Sequence, residues 1–371
     1  MSTKRAAYFL VIGFLTLPLW AFADVAPAPQ AEKKPAKANA PYELEKVVVT
    51  PSRNSEQPIL LVPQAVAVVD DEDLNGTVIT TAADAVQTIP GVHLAPSGGA
   101  GDTSNRNSDY WHSGFTIRGL GAQRALVLTD GVRQSGQGIG YGGGNLSLYD
   151  LSALERIEVL KGPGSVLYGT DAFGGVIQLF THQPQERDVF GISGRARASF
   201  DGSRNVSTEG GYVDVGDEKW GLVLGGSYAD AHNPTIPDSR VPQGGNYTKE
   251  SGNMTFVYRP TDNSQLKILA NVVEARDIEI FNSTSAGTGP FFFQIPFYQR
   301  SMYGAEYSQQ DVSEHVDSWK IGVYQQMLKR QFRHATPRLT PPSTIVTDDV
   351  ITQDTVRTTE VQPQVVFDFS P

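Results

Sequence analysis

Cysteine is absent from the 371-residue chain, so neither a disulfide framework nor a thiolate metal site can form. Positive charge is scarce as well. Against 40 Asp and Glu stand 30 Lys and Arg, for a formal net charge of −10. Phosphate backbones call for clustered Lys and Arg, so no nucleic-acid partner is expected. The six histidines (His93, His112, His182, His232, His315 and His334) never fall at i, i+4 spacing, and no metal site or cofactor is signalled. Long apolar runs are missing too, except at the N-terminus. There Lys4 and Arg5 precede an apolar stretch from Ala6 to Trp20, and Ala21-Phe22-Ala23 supplies an A-x-A cleavage site. Residues 1–23 read as a secretory signal peptide with Asp24 as the mature start. If the mature protein sits in a membrane, it must do so as a closed β-barrel, because no remaining segment can cross as a helix.

What is present changes texture along the chain. Residues 24–56 begin as a Pro, Ala, Lys and Glu tether with too little apolar surface to order itself. Inside it lies EKVVVT (45–50), a β-branched strand with no evident neighbour. From 57 to 182 helix and strand signals interleave. TAADAVQTIPGV places Ala82, Val86 and Ile89 at helical spacing behind a Thr80 or Thr81 cap, stopped by Pro90-Gly91. FTIRG (115–119), RALVLTDG (124–131) and ERIEVLKG (155–162) read as short strands that end in turn residues.

From 183 to 371 the period becomes two. Trp220, Leu222, Leu224 and Tyr228 share a face; so do Met254, Phe256 and Tyr258, then Leu266, Ile268, Ala270 and Val272. Tyr303, Ala305 and Tyr307, then Trp319, Ile321 and Val323, continue the pattern to Val361, Val365 and Phe367. One greasy and one polar face, with short connections near 216–219, 260–264 and 311–315 and long ones at 231–250, 277–300 and 332–348, fits an outer-membrane barrel. A soluble β-sandwich with shorter strands gives the same alternation. The fold class expected is an α+β domain followed by an all-β antiparallel transmembrane barrel.

Two glycine motifs fail as nucleotide sites. After Gly119 and Gly121 the third fingerprint position holds Arg124, and after Gly164 and Gly169 the P-loop lysine position holds Thr170. An enzyme is not expected. Taken together, EKVVVT, IRGLGAQRALVLTDGVR (117–133) and LERIEVLKGPGSVLYGTDAFGGVIQLFT (154–181) resemble, in order and spacing, the plug of a TonB-dependent outer-membrane receptor of the siderophore or haem type. The resemblance implies a plug domain at 57–182 inside a barrel that starts at 183. It also implies import of a scarce ligand across the cell outer membrane of a Gram-negative bacterium, with the tether in the periplasm. Outer-membrane lipid and a small iron chelate are the implied non-protein partners.

By the same resemblance, Glu45, Lys46, Val47, Val48, Val49 and Thr50 form a TonB box, which a periplasmic energy-transducing partner captures as an added strand. Net gains of about 1 kcal/mol per backbone hydrogen bond against about 1–2 kcal/mol of ordering cost per residue make such a strand a weak, reversible handle. Arg118 and Lys161 match cationic plug positions that contact barrel glutamates. Tyr110, Trp111, His112 and Tyr141 in plug segments, with Phe292 and Tyr298 in the expected 277–300 loop, are the ligand-contact candidates, since exposed loop aromatics pack poorly and bind well. A ferric siderophore is the first expectation; haem and cobalamin stay open. Plugged transporters need about 22 strands, and eight are visible here, so the sequence is expected to be a fragment. The rival expectation is a truncated ligand-binding or signalling module that does not transport.

Overall fold

The computed structural model describes residues 47–48, 57–58, 64–75, 81–95, 114–120, 124–134, 146–169, 172–202, 205–232, 246–281, 292–340 and 344–367. The segment read as a signal peptide, 1–23, and most of the segment read as a tether, 24–56, lie outside these residues. Two bodies are built from them: a small mixed sheet with short helices, and a wall of eight long strands.

The small body centres on a five-stranded sheet ordered β3(Val66–Val69), β8(Leu154–Leu160), β9(Gly175–Thr181), β6(Ala125–Thr129), β7(Val132–Arg133). Strand β6 reads ALVLT and is buried at every position. A continuous apolar run of that kind belongs to a strand covered on both faces. It pairs in parallel with β9, from Ala125 opposite Gly175 to Thr129 opposite Leu179. The other pairings are antiparallel. A separate hairpin joins β4(Val92–Ala95) to β5(Gly114–Ile117).

Of the helices α1(Asp71–Asn75), α2(Ala82–Gln87) and α3(Ser165–Tyr168), α2 shows most clearly why it forms where it does. Thr81 is its N-cap in extended backbone. The Asp84 backbone N–H donates to Thr81 Oγ1 at 3.3 Å, and the Thr81 N–H donates back to Asp84 Oδ2 at 3.2 Å. This capping box satisfies two N-terminal donors at once. Ala82, Ala83, Ala85 and Val86 then enter the core, and Gly91 leaves the helix at φ +84°.

The two most recognisable glycine blocks are tight turns. Asp130-Gly131 (φ 48° and 79°) closes the β6–β7 hairpin, and Arg118-Gly119 (φ 50° and 80°) closes a hairpin whose Ile117 and Leu120 exchange backbone hydrogen bonds at 3.0 Å. Positive φ at both central residues is the type I′ signature. Asp130 also accepts from Thr181 N–H at 3.0 Å and Thr181 Oγ1 at 2.8 Å, which fixes the turn to the end of β9.

The wall runs β10(Gly191–Asp201), β11(Val206–Gly216), β12(Trp220–Ala231), β13(Tyr247–Thr261), β14(Ser264–Phe281), β15(Phe292–Ser313), β16(Val316–Thr340), β17(Thr344–Phe367), each antiparallel to the next. The apolar stripes expected from the sequence line up across it: Leu222, Phe256, Ile268, Ala305, Val323 and Val361 are successive cross-strand partners. Alternate positions such as Ser227, Asn253, Thr255 and Asn271 point to the opposite face and are buried there. One expectation is corrected. The segments read as loops at 277–300 and 332–348 are mostly strand: β14 runs to Phe281, β15 starts at Phe292, and β16 and β17 leave 341–343 between them. At ~3.3 Å per residue the 25 residues of β16 extend about 80 Å. Even tilted by about 45° they rise about twice the ~25 Å apolar band of an outer-membrane barrel. The upper strands therefore stand in water, where outward positions need not be apolar.

Candidate functional site: the seam between plug and wall

Two apolar clusters join the two bodies; in the smaller, Val132 of β7 packs with Leu269, Met302 and Tyr324 of the wall. In the larger, Leu146, Leu148, Tyr149 and Ile157 of the small domain cluster with Val273, Ala275, Ile278, Ile295, Tyr298 and Leu328 of the wall. Glycines on β11 let the surfaces meet closely: a Cβ on Gly210 would overlap Ser152 and come within 2.8 Å of the Ser227 Cβ.

Among the described residues, polar contacts stitch the seam at α1, at the β6–β7 hairpin and at the turn 146–150. At α1, Arg195 of β10 pairs with Asp71 at 2.5 Å and Arg197 Nη1 donates to the Leu74 carbonyl at 2.8 Å. At the β6–β7 hairpin, Gln326 and Gln362 side chains donate to the carbonyls of Arg133 (2.6 Å) and Gly131 (3.3 Å). Between them, the turn 146–150 carries a buried ion pair. Lys249 Nζ of β13 lies 2.5 Å from Asp150 Oδ1, and each side chain is 1% exposed. Lys249 also donates to the Ser147 carbonyl at 3.0 Å. Ser227 Oγ donates to Asp150 Oδ2 at 2.5 Å and lies 2.6 Å from Ser251 Oγ.

His182, just past β9, stacks on Tyr212 of β11 with ring centroids 3.8 Å apart. Burial pushes its pKa down to about 4, and the nearby Arg195 adds to the shift against the opposing pull of Asp71 and Asp214. Below pH ~6.5 the unfolded chain binds a proton here that the folded one refuses, so stability falls as pH drops through ~6.5 toward ~4. The expected loss is about 3 kcal/mol at its limit. Melting of the wild type against His182→Phe, which keeps the stack, should show the acid-side loss reduced in the variant.

The sequence-predicted residues are distributed as follows. Val47–Val48 form strand β1, which pairs antiparallel with Gln57–Pro58 (β2) and with no strand of the plug sheet. Glu45, Lys46, Val49 and Thr50 lie outside the described residues, as do Tyr110, Trp111, His112 and Tyr141. Phe292 opens β15. Tyr298 is not in a loop; it sits on β15, 3% exposed, in the core shared with the plug. Arg118 is exposed on its turn, its backbone N–H donating to the Gly91 carbonyl at 2.7 Å. Lys161 is half-buried, its N–H donating to the Ala65 carbonyl at 2.8 Å. Among the described residues neither side chain makes an ion pair. Asp150 and Lys249 escaped the sequence reading, which looked for cationic plug residues and barrel acids; here the charges are reversed. The signal was available in register: Lys249 shares the inward parity of Ser251, Asn253 and Thr255.

A small mixed domain seated by its own core against the inner face of a long-stranded meander defines the class of plugged outer-membrane β-proteins. Residues 58–176 match the family model for the TonB-dependent receptor plug domain. The chain is 30% identical over 226 residues to the vitamin B12 transporter BtuB of Vibrio vulnificus, across 61% of this chain and 34% of that protein. In structure it is similar to the copper transporter OprC (TM-score 0.63, 18% identity, 82% of this chain and 44% of that one). It is also similar to a variant of the ferric enterobactin receptor PfeA from Pseudomonas aeruginosa (TM-score 0.58, 18% identity, 81% and 46%). At these identities the two structures speak to the fold. The chain spans between a third and a half of these relatives. Residues 58–176 are thus a plug domain of the TonB-dependent receptor family, and eight antiparallel strands of barrel type follow them.

Proposed function

We propose that the protein imports a scarce, bulky chelate across the outer membrane of a Gram-negative bacterium. In this reading a TonB-type periplasmic partner takes residues 45–50 as an added strand, and the pull displaces the plug from the wall. The observation that carries it is the seam: the plug is held by shared apolar clusters and a few polar stitches, while Val47–Val48 stay out of the plug sheet. Such a strand can be captured without first dismantling the domain it is tied to. The protein acts as a transporter, not an enzyme. Tyr110, Trp111, His112, Tyr141 and Phe292 are the proposed ligand contacts; Tyr298 belongs to the seating of the plug.

A ferric siderophore is the first ligand reading. The sequence similarity to a vitamin B12 transporter favours a second, a cobalamin. Cells whose own receptors for both ligands are deleted, and which express this receptor, separate them. Saturable uptake of a labelled ferric siderophore supports the first and uptake of labelled cyanocobalamin the second. Uptake of either that persists when the energy-transducing partner is deleted would reject TonB coupling.

A further inference from the structure

We propose that Asp150 and Lys249 form a lock that fixes the 146–150 turn of the plug to strands β12 and β13, and that must part before this side of the plug can leave the wall. The inference rests on the reading of the domain as a movable plug. Its starting point is a side chain used against local expectation. Asp150 is the N-cap of the 3-10 turn Leu151–Ala153, a position where aspartate normally bonds its own backbone, yet it makes no cap hydrogen bond. Its carboxylate is turned across the seam to Lys249 Nζ and Ser227 Oγ instead. Lys249 in turn reaches back to the Ser147 carbonyl, so one ammonium holds both ends of the turn.

The lock differs in kind from the other stitches. Asp71 and Arg195 are 43% and 42% exposed, and an ion pair in that setting contributes little. The Gln326 and Gln362 contacts are neutral hydrogen bonds. Asp150 and Lys249 are both out of water, where removing one partner strands the other charge. In place, the lock resists partial lifting; once water reaches it, both ions are solvated and it offers no resistance. Such a contact makes release of this edge of the plug a discrete event.

The cysteine-free chain allows a clean test. Ser152 lies beside the lock, and its buried Oγ has no hydrogen-bond partner among the described residues, so Ser152→Cys is a mild reporter. Val176→Cys, fully buried in β9 within a cluster that contains no residue of the 146–150 turn, reports on the plug as a whole. N-ethylmaleimide labelling of the purified protein in detergent, with neither partner nor ligand present, is expected to be slow at both. Adding Lys249→Met, or the isosteric Asp150→Asn, should speed labelling of the Ser152→Cys reporter roughly a hundredfold or more. The Val176→Cys reporter should be little affected. The double variant should label no faster than the worse single one, because a pair lost once cannot be lost again. Unchanged labelling at Ser152→Cys in both single variants, or an equal rise at both reporters, overturns the proposal. Since no uptake is measured, failure here and failure of the transport reading are separate results.

Discussion

Gly175→Val is expected to unfold the plug while leaving the wall strands in place. Gly175 opens β9 at φ +157°, in register with Ala125 of β6 and packed under the end of β8. A Cβ there would fall on the Leu160 carbonyl oxygen and lie 2.7 Å from Ile117 Cδ1. Neither neighbour can give way: Leu160 belongs to a paired strand, and Ile117 is fully buried. Overlap with backbone, added to a backbone angle that valine avoids, puts the cost above about 4 kcal/mol, a large share of a small domain's stability. Gly131→Ala is the contrast. Its φ of +79° is just as unusual, but nothing lies within 4 Å of the added methyl. Strain alone should then cost about 1–2 kcal/mol. Limited proteolysis of membranes carrying each variant discriminates: cleavage inside residues 64–181 for Gly175→Val, near-native resistance for Gly131→Ala. Equal resistance in both would mean that the close approach at the head of β9 is not what fixes glycine there.

The contrast also shows which parts of the fold are legible in sequence. Local chemistry is: Asp130-Gly131 after ALVLT can hardly be other than a hairpin turn, and Thr81 with Asp84 spells out a helix start. So are the membrane-facing rows, where lipid enforces strict alternation from Leu222 to Val361. Strand length is not. At Asp277 (φ 54°) the β14 ladder skips a residue, so inward-facing Ala275 is followed by inward-facing Ile278 rather than by residue 277. A period of two broken once looks like the end of a strand. The same happens between Gln294 and Phe297 on β15. Beyond the apolar rows, β16 and β17 carry Gln325, Lys329, Arg333, Gln353, Thr355 and Arg357 on outward positions, and alternation ceases to report the strand at all. The Asp150–Lys249 pair is hidden for another reason. It is made by register between two bodies, and neither residue has an unusual neighbour in sequence.

Val48→Pro is expected to reduce uptake to the background level while ligand binding stays within about twofold of wild type. Val48 pairs with Gln57 and Val47 with Pro58, a two-residue ladder whose net worth is about 1 kcal/mol per hydrogen bond made. That is little enough for an incoming strand to displace, or to extend from the other edge. Proline at 48 removes one N–H from the strand and fixes φ near −65°, so a partner sheet has no regular strand to add. Among the described residues β1 pairs only with β2, and the plug sheet begins at β3. Two assays on the same cells decide the matter. Equilibrium binding of the labelled ligand reports the folded plug and the barrel mouth; energised uptake reports the handle. Loss of both would move Val48 into the folding of the plug. Uptake that survives the substitution would place the partner's handle elsewhere in the tether. Loss of uptake alone is the expected result, because a strand that takes no part in the plug sheet has its function outside it.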